Sequence, residues 1–266
     1  MTSRLTSREK QRGTAYQHKI RQERAKVYQT RRNVWDNVNK NLRNAVVRPC
    51  TRKQATKMIL EYEWLGTMLT ASNRHYAIVF DNMIGGVTCW AVAGMAIPVM
   101  MKTFKLASDE VGYLCRGACA YWTPKGAASR LIAWSCKYEM QRGTKIAIAF
   151  ADTDAGEYGT VYQAAGWTCI GRGTLWPQYV SPQGKIWSHN QMTANRKKSG
   201  VKTGEYVKKL LLKGWKKQIA NPKYRYVRVL ATGEEKQRLD AIVESMKVEY
   251  PKRPAGVTAA RSASSR

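Results

Sequence analysis

A cluster of polar side chains directly follows one strongly apolar segment of the chain. Residues 145–151 are rich in small and β-branched apolar side chains, which predicts a buried strand. Asp152 and Asp154 follow this segment in a short turn, and Tyr158 and Tyr162 come next. Open α/β sheets bind ligands beyond the carboxyl ends of their strands, so these four side chains are the first candidates for proton transfer or ligand binding. Aspartates that cap a helix and a tyrosine that fills a core would give the same pattern.

The remaining chain predicts the elements that must position this cluster. A helix of about two turns begins near Tyr158 and ends at Gly166, because glycine commonly follows a helix C-terminus. Thr51 and Gln54 form a capping-box pattern at the start of another helix. The further predicted elements are strands over 45–49, 75–80, 83–93, 110–122, 167–170 and 224–230, helices over 15–42, 51–64, 124–143 and 204–217, a turn-rich hairpin over 174–192, and an exposed basic loop over 196–202.

The formal net charge of +28 is divided unevenly along the chain. Residues 1–57 carry 16 basic and 3 acidic side chains (+13), residues 58–170 carry 9 of each (zero), and residues 171–266 carry 21 and 6 (+15). A neutral middle between two basic ends predicts a folded core with a surface that binds a polyanion, and nucleic acid is the expected partner. Charge that only improves solubility would not need one sign on both flanks.

The sequence contains neither a run of about 18 apolar residues nor an apolar segment at its start, so we expect neither a membrane span nor a secretory signal. The six cysteines form no C-x-x-C pair, which predicts reduced, partly buried thiols in a cytoplasmic protein and no cysteine metal site. Cys115 and Cys119 are four residues apart on one predicted strand, and we expect them to share a face.

The order strand, helix, strand pair, long strand, helix, strand, helix, strand resembles the GCN5-related N-acetyltransferase fold. The resemblance implies an α/β fold with a mixed central sheet flanked by helices, and acetyl-CoA or another acyl-CoA as cofactor. In that fold the turn after the long strand holds the cofactor, and small residues at a helix N-terminus suit a pyrophosphate. Its usual pattern is partly kept here, and an ordinary helix start would look the same. The implied cofactor-binding residues are Lys125, Gly126, Ala127, Ser129 and Arg130.

A closer resemblance is to the phage Mom family of DNA-modification proteins, which have this fold. The resemblance covers about residues 45–230, and its most specific part is A-D-x-x-x-G-x-x-G-x-x-Y-Q-A over residues 151–164. The chain departs from the family at residues 61–63, where the family tends to place histidine. The other matching features are Tyr62-x-Trp64-Leu65-Gly66-x-Met68, Arg116, Pro124-Lys125-x-x-x-Ser129-Arg130 and Lys223-Tyr224-Arg225-Tyr226-Val227.

The Mom resemblance implies a transferase that converts the N6 amino group of adenine in DNA to a carbamoylmethyl adduct, protecting phage DNA from host restriction. It implies catalytic roles for Arg116, Asp152 and Tyr162. Asp152 can orient or deprotonate the amino group, Arg116 can stabilise negative charge, and Tyr162 can protonate a leaving group. A structural Arg116–Asp152 ion pair and a core tyrosine are the alternatives. A metal ion is possible, but the spacing of residues identifies no ligand set.

We expect double-stranded DNA as the partner, no membrane, and location in the host cytoplasm. The domain prediction is a basic extension over 1–44, a catalytic domain over 45–231 with a basic insertion around 174–217, and a basic tail over 232–266. An extruded base would need an aromatic platform, with Trp176, Tyr179 or Trp187 as candidates, whereas His189 is expected to be solvated. The predicted DNA contacts are Arg21, Arg24, Arg31, Arg32, Tyr179, Lys197 and Lys198.

Two other functions fit the same residues. The first is an acetyltransferase of this fold that acts on an amino group of a protein, an RNA or a small molecule. The second is a DNA-binding protein that has kept the fold without catalysis. The two basic flanks favour nucleic acid as the acceptor, and the presence of Arg116, Asp152 and Tyr162 together favours an enzyme.

Overall fold

A seven-stranded mixed sheet forms the centre of this computed structural model, which describes residues 16–29, 35–92, 97–173, 175, 177–184 and 186–252. The strands in these ranges are β1 (Val46–Pro49), β2 (Arg74–Phe80), β3 (Met83–Ala91), β4 (Val111–Cys119), β5 (Ile146–Ala151), β6 (Thr168–Arg172), β7 (Pro177–Val180), β8 (Ile186–Ser188), β9 (Lys216–Ile219) and β10 (Tyr224–Val229). The large sheet has the order β1-β2-β3-β4-β5-β10-β6, and a small sheet has the order β8-β7-β9.

Helices cover both faces of the large sheet, which confirms the predicted α/β fold with a mixed central sheet flanked by helices. The helices in the described ranges are α1 (Tyr16–Gln29), α2 (Arg52–Tyr62), α3 (Ile97–Phe104), α4 (Ala127–Gln141), α5 (Thr160–Ala164), α6 (His189–Ser199), α7 (Thr203–Leu212) and α8 (Gly233–Met246). None of them is long and apolar enough to cross a membrane.

Successive residues of β2 pack against helices on opposite faces of the sheet. Ile78 packs in one core with Leu131 of α4, whereas Ala77 packs in a second core with Ile59 of α2. All four side chains are almost completely buried. Successive side chains of a strand point to opposite faces, so one apolar strand supplies both cores. Burial of each large aliphatic side chain contributes about 1.5–3 kcal/mol.

The large sheet opens between β4 and β5, the one parallel pair in the described sheet. Their pairing joins Val111–Leu114 to Ile146–Ala149 and goes no further, although β4 continues to Cys119. The register of β4 against β3 shifts between Leu114 and Arg116, which makes Cys115 the extra residue of a β-bulge. The bulge lies where the two strands part, so it re-aims the residues of β4 that follow at the opening.

Local sequence signals place several elements as predicted. Thr51 accepts a hydrogen bond from the backbone N–H of Gln54, and the side chain of Gln54 accepts one from the backbone N–H of Thr51. Asp81 and Asn82 have φ angles of 43° and 68° in the β2–β3 hairpin, a conformation that these two residue types tolerate better than most. Gly166 has a φ of 74° after α5.

The residues between β6 and β10 form an insertion with its own small core. The insertion consists of α6, α7 and the small sheet. The buried residues of its hydrophobic core are Tyr179, Met192 and Leu210. Two predictions fail here. Residues 196–199 belong to α6 and not to an exposed loop, and the predicted helix over 204–217 ends at Leu212 and is followed by β9. The helix was predicted to continue through Gly214 because the segment is rich in lysine, but Gly214 has a φ of 77° and lies in a turn.

Three other predictions change. The segment 232–266, predicted as a basic tail, contains α8, whose Leu239 and Val243 are buried against the large sheet. The N-terminal helix ends by Gln29 instead of continuing to residue 42, and residues 35–38 form a turn. Cys115 and Cys119 lie in different cores because the bulge interrupts the alternation of β4. All six cysteines are free thiols.

Candidate active site and nucleic-acid surface

Arg116 lies on β4 directly after the bulge, at the opening between β4 and β5. Its Nε donates to the carbonyl of Thr67 at 3.1 Å, and its Nη1 donates to the carbonyl of Cys115 at 2.8 Å. These two bonds fix a half-buried guanidinium at the cleft. A fixed guanidinium in this position can stabilise negative charge or bind a carbonyl oxygen of a ligand.

Asp152 follows β5 and forms an ion pair with Lys223, at 2.8 Å between Oδ2 and Nζ. Its Oδ1 accepts from the backbone N–H of Asp154 at 3.1 Å. Burial opposes the charge of Lys223, but the neighbouring carboxylate raises the pKa of Lys223 overall. The Arg116–Asp152 ion pair, one of the alternatives from the sequence, is therefore wrong: the cationic partner of Asp152 is Lys223.

Two further carboxylates complete the cleft. Glu63 caps the end of α2, and its Oε2 accepts from the backbone N–H groups of Leu65 at 2.9 Å and Gly66 at 3.1 Å. Glu157 accepts from Nε1 of Trp64 at 3.1 Å. Burial raises the pKa of Glu63 to about 7, against the opposing charge of Arg116.

Burial raises the pKa of Glu157 to about 7 as well, and repulsion from Asp152 and Glu63 adds to the shift. A carboxyl group with such a pKa exchanges its proton readily at neutral pH. A carboxyl group whose pKa is raised toward neutrality can serve as a proton acceptor in an enzyme. Glu157 also lies on the chain between Asp152 and Tyr162, so one short segment supplies three polar groups of the cleft.

Tyr162 of α5 lies half-buried beside this cluster. Its ring contacts Trp167 and Tyr226, with centroids 5.4 and 5.3 Å apart. Burial raises the pKa of Tyr162, and the charge of Glu157 raises it further, so its phenol stays protonated. Glu157 lies near Asp152, Glu63 and Tyr162, and Glu63 lies near Arg116, so the three predicted residues belong to one connected cluster. Tyr162 has the protonation state that a proton donor needs.

The turn that precedes α4 has features of an anion cradle. Gly126 is exposed with a φ of 92°, and its carbonyl accepts from the hydroxyl of Ser129 at 3.0 Å. Lys125 is exposed, and Ala127 is buried at the start of the helix. The Nε of Arg130 is buried without a hydrogen-bond partner among the described residues. Together with the first N–H groups of α4, these residues fit the pyrophosphate of a CoA molecule.

The N-terminal helix is attached to the core by two of the arginines predicted to bind DNA. An Nη of Arg21 donates to the carbonyls of Ala120, Tyr121 and Thr123 at 3.2 to 3.3 Å. The Nε of Arg24 donates to the carbonyl of Glu61 at 3.0 Å. Both guanidinium groups therefore hold α1 against the core. Arg31 and Arg32 lie outside the described residues.

The insertion places its predicted DNA contacts differently. Tyr179 is only 3% exposed because it belongs to the small core, so its ring is not accessible as a stacking platform. Trp187 packs against Trp215 at 4.3 Å between centroids. Lys197 is exposed on α6. Trp176 lies outside the described residues, as do the side chains of Lys198 and His189.

Sequence reasoning missed Glu63, Trp64, Glu157 and Lys223 as residues of the site. Glu157 occupies an unmatched position inside the most specific motif, so the motif gave it no weight. Its spacing of five residues from Asp152, after a buried strand, was the available signal. Lys223 lies far along the chain, and only the pairing of β10 with β5 brings it to Asp152. No group of three or more His, Cys, Asp and Glu residues in the described ranges is placed to hold a metal ion.

Comparisons with known proteins give a family and several similar folds. The model of the Mom protein family matches residues 44–252. No curated protein matches the sequence. Aminoglycoside 6'-acetyltransferase type Ii is 10% identical, covers 71% of this chain and 99% of its own, and has a TM-score of 0.39. A GNAT family acetyltransferase from Elizabethkingia anophelis with acetyl-CoA bound is 11% identical, covers 70% and 98%, and has a TM-score of 0.38.

Proposed function

The chain belongs to the Mom protein family, and on that premise we propose that it is a transferase that modifies DNA. The proposed reaction converts the N6 amino group of adenine to a carbamoylmethyl adduct, which shields phage DNA from host restriction enzymes. One observation carries the proposal beyond the family. A cleft with two carboxyl groups of raised pKa is joined, through Lys223, to an insertion of strongly positive charge.

The proposed reaction replaces one N–H bond of the amino group by an N–C bond. The nitrogen lone pair attacks the methylene carbon of an activated carbamoylmethyl donor, and the bond from that carbon to its leaving group breaks with its electron pair. One N6 proton passes to the Glu157 carboxylate, whose pKa of about 7 suits it to accept and later release a proton. Asp152, held by Lys223, accepts a hydrogen bond from the amino group and orients it.

Arg116 and Tyr162 act on the donor side of the reaction. The guanidinium of Arg116 binds the carbonyl oxygen of the transferred group and orients the adjacent methylene carbon for attack. The protonated phenol of Tyr162 donates its proton to the leaving group. An acyl-CoA held by Lys125, Arg130 and the start of α4 would supply a thioester, whose activated carbon is the carbonyl carbon, and it therefore suits the acetyltransferase alternative. The carbamoylmethyl donor of the proposed reaction must instead carry its leaving group on the methylene carbon.

A recessed cleft requires that the adenine leave the helical stack. We place Trp64 as its stacking partner in the proposed complex, since Tyr179 is buried in the insertion. Trp64 is half-buried, and its Nε1 is bonded to Glu157, so a base stacked on its ring would lie next to the proposed proton acceptor. Extrusion costs a few kcal/mol, which base stacking and phosphate contacts can offset.

Mass spectrometry of nucleosides digested from the DNA of cells that express this chain tests the proposed function. We expect deoxyadenosine that carries one carbamoylmethyl group on N6, absent from cells without the protein. If the DNA of cells that contain the folded protein yielded no modified deoxyadenosine, the proposal would be contradicted. The acetyltransferase alternative rests on the turn at Gly126, and it would instead yield an acetylated amine in protein, RNA or a small molecule.

A further inference from the structure

The insertion directs its charge away from its own small core. Tyr206 and Val207 of α7 pack against that core, where Leu210 is buried. Residues 173–222 contain ten basic side chains and one acidic side chain, a balance of +9. That one acid, Glu205, pairs with Lys209 at 2.9 Å.

Four other exposed lysines of this region make no ion pair with any carboxylate in the described residues. They are Lys208 of α7, Lys213 in the following turn, and Lys216 and Lys217 of β9. We call these four residues the α7–β9 lysine surface. Because β9 is an outer strand of the small sheet and all four of its residues are exposed, the surface is open to a large partner. Four solvated ammonium groups without acidic partners give this part of the insertion a positive potential, which attracts a polyanion.

The basic residues of α1 offer a contrast. Arg21 and Arg24 donate hydrogen bonds to backbone carbonyl groups of the core, so their main role is to hold α1 in place. Arg21 and Arg24 therefore differ from the four lysines in that their guanidinium groups already have carbonyl partners. The α7–β9 lysine surface has cations that are free for phosphate groups.

The segment that leaves this surface leads directly into the candidate active site. The backbone N–H of Asn221 donates to Oδ2 of Asp154 at 3.2 Å, and Lys223 pairs with Asp152. Lys223 follows Lys217 by six positions in the chain, which limits the distance between their Cα atoms to about 20 Å. A DNA strand has one phosphate per ~3.4 Å of helix axis, so this distance corresponds to roughly six base-pair steps. A nucleotide bound in the cleft thus lies within one helical turn of the phosphates.

We propose that the α7–β9 lysine surface binds the sugar-phosphate backbone of duplex DNA and holds it beside the cleft. The inference rests on the proposed function, because DNA is the partner only if it carries the acceptor base. Each ammonium group neutralises one phosphate and releases its condensed counterions. The four contacts together account for a slope of about −3.6 in log Kobs against log salt concentration.

The test compares two full-length variants that lose the same charge. The first changes Lys208, Lys213, Lys216 and Lys217 to glutamine. The matched control changes four exposed lysines elsewhere on the protein to glutamine, and these are Lys40, Lys53, Lys57 and Lys102. Binding to one duplex DNA is measured by fluorescence anisotropy over a series of NaCl concentrations, and circular dichroism checks that both variants are folded.

We expect the slope of the first variant to be shallower than that of the wild type by about 3 to 4, and that of the control to change by less than about 1. The double variant of Lys216 and Lys217 alone should lose about half as much. Equal slopes for the two quadruple variants would overturn the inference. If the wild-type protein still binds duplex DNA in that case, the proposed function is unaffected, because only the location of the phosphate contacts is wrong. Wild-type protein that does not bind duplex DNA, or that prefers an RNA hairpin of equal charge, would count against both.

Discussion

The cleft and the insertion use charged groups in opposite ways. In the cleft, Asp152 is paired with Lys223, and burial raises the pKa of Glu157, so each charge has a defined neighbour. On the α7–β9 lysine surface, the four lysines are exposed and make no ion pair with a carboxylate in the described residues. Paired, half-buried groups suit chemistry, because their protonation and position are controlled, whereas solvated like charges suit a partner that supplies the opposite charge.

Binding and chemistry should therefore be separable in this molecule. Loss of the proton acceptor Glu157 should stop the reaction and leave DNA affinity unchanged. Loss of insertion lysines should weaken DNA binding in a salt-dependent way and leave the reaction of the bound complex intact.

Glu157→Gln should reduce adenine modification by about 10²- to 10⁴-fold, because an amide cannot accept the proton in the proposed reaction. The shape of the side chain is kept, so the bond from Trp64 and the DNA affinity should remain. Single-turnover modification with saturating DNA measures the effect. Glu244→Gln, an exposed carboxylate paired with Lys247, is the matched control. Normal modification by Glu157→Gln would remove Glu157 from the mechanism.

Trp64→Ala should weaken productive binding of the extruded base by about 1–3 kcal/mol, the usual contribution of stacking one base on one aromatic ring. 2-Aminopurine at the target position reports the step, because its fluorescence rises when it leaves the stack. We expect bright fluorescence with wild-type protein and little increase with Trp64→Ala. Trp187→Ala, in the insertion, serves as the comparison variant. An equal increase for both variants would exclude Trp64 as the platform.

The rate of modification should rise about tenfold per pH unit below pH 7 and level off above it. The charged groups around Glu157 are Asp152, Glu63 and Lys223, and burial with two carboxylate neighbours raises its pKa to about 7. A proton acceptor works in its deprotonated form, so the rate falls as pH falls through that pKa. Rates at saturating DNA between pH 5.5 and 8.5, all within roughly 1.5 units of the pKa, define the profile. A flat profile would contradict the assignment.

Arg21→Gln should lower the free energy of unfolding by about 1–2 kcal/mol and change the salt slope of DNA binding by less than about 1. The guanidinium donates to three carbonyl groups of the core, so its loss detaches α1 before it affects phosphate contacts. Thermal unfolding and anisotropy measure the two quantities. Lys26→Gln, exposed on the same helix, is the control for charge. If the salt slope of DNA binding became shallower by about 0.9, the value of one phosphate contact, and stability stayed unchanged, Arg21 would be a DNA-binding residue.

The sequence predicted the large sheet well because its strands are apolar and its turns carry strong local signals. The capping box of Thr51 and Gln54 and the turn at Asp81 and Asn82 are formed by neighbouring residues, so local chemistry determines them. The insertion was harder, because α6 and β9 are rich in lysine and polar residues and show little periodicity. Their structure depends on contacts with Tyr179 and Leu210, which no local pattern indicates.

The candidate site was predictable only in part for a similar reason. Arg116, Asp152 and Tyr162 stand in motifs, and the structure places all three in one connected cluster. Lys223 reaches Asp152 through strand pairing across 71 positions of sequence, a relation that spacing does not contain. The raised pKa of Glu157 arises from burial and from its neighbours, so it too depends on the completed fold.

The yield of modified adenine per bound enzyme, measured over a range of salt concentrations for two variants, tests the central claim most directly. We expect the quadruple glutamine variant of the α7–β9 lysine surface to regain the wild-type yield at low salt, where binding no longer needs those contacts. We expect Glu157→Gln to bind DNA at every salt concentration and to modify none of it. Recovery of Glu157→Gln at low salt, or a lysine variant that stays inactive when fully bound, would contradict the separation of chemistry from binding.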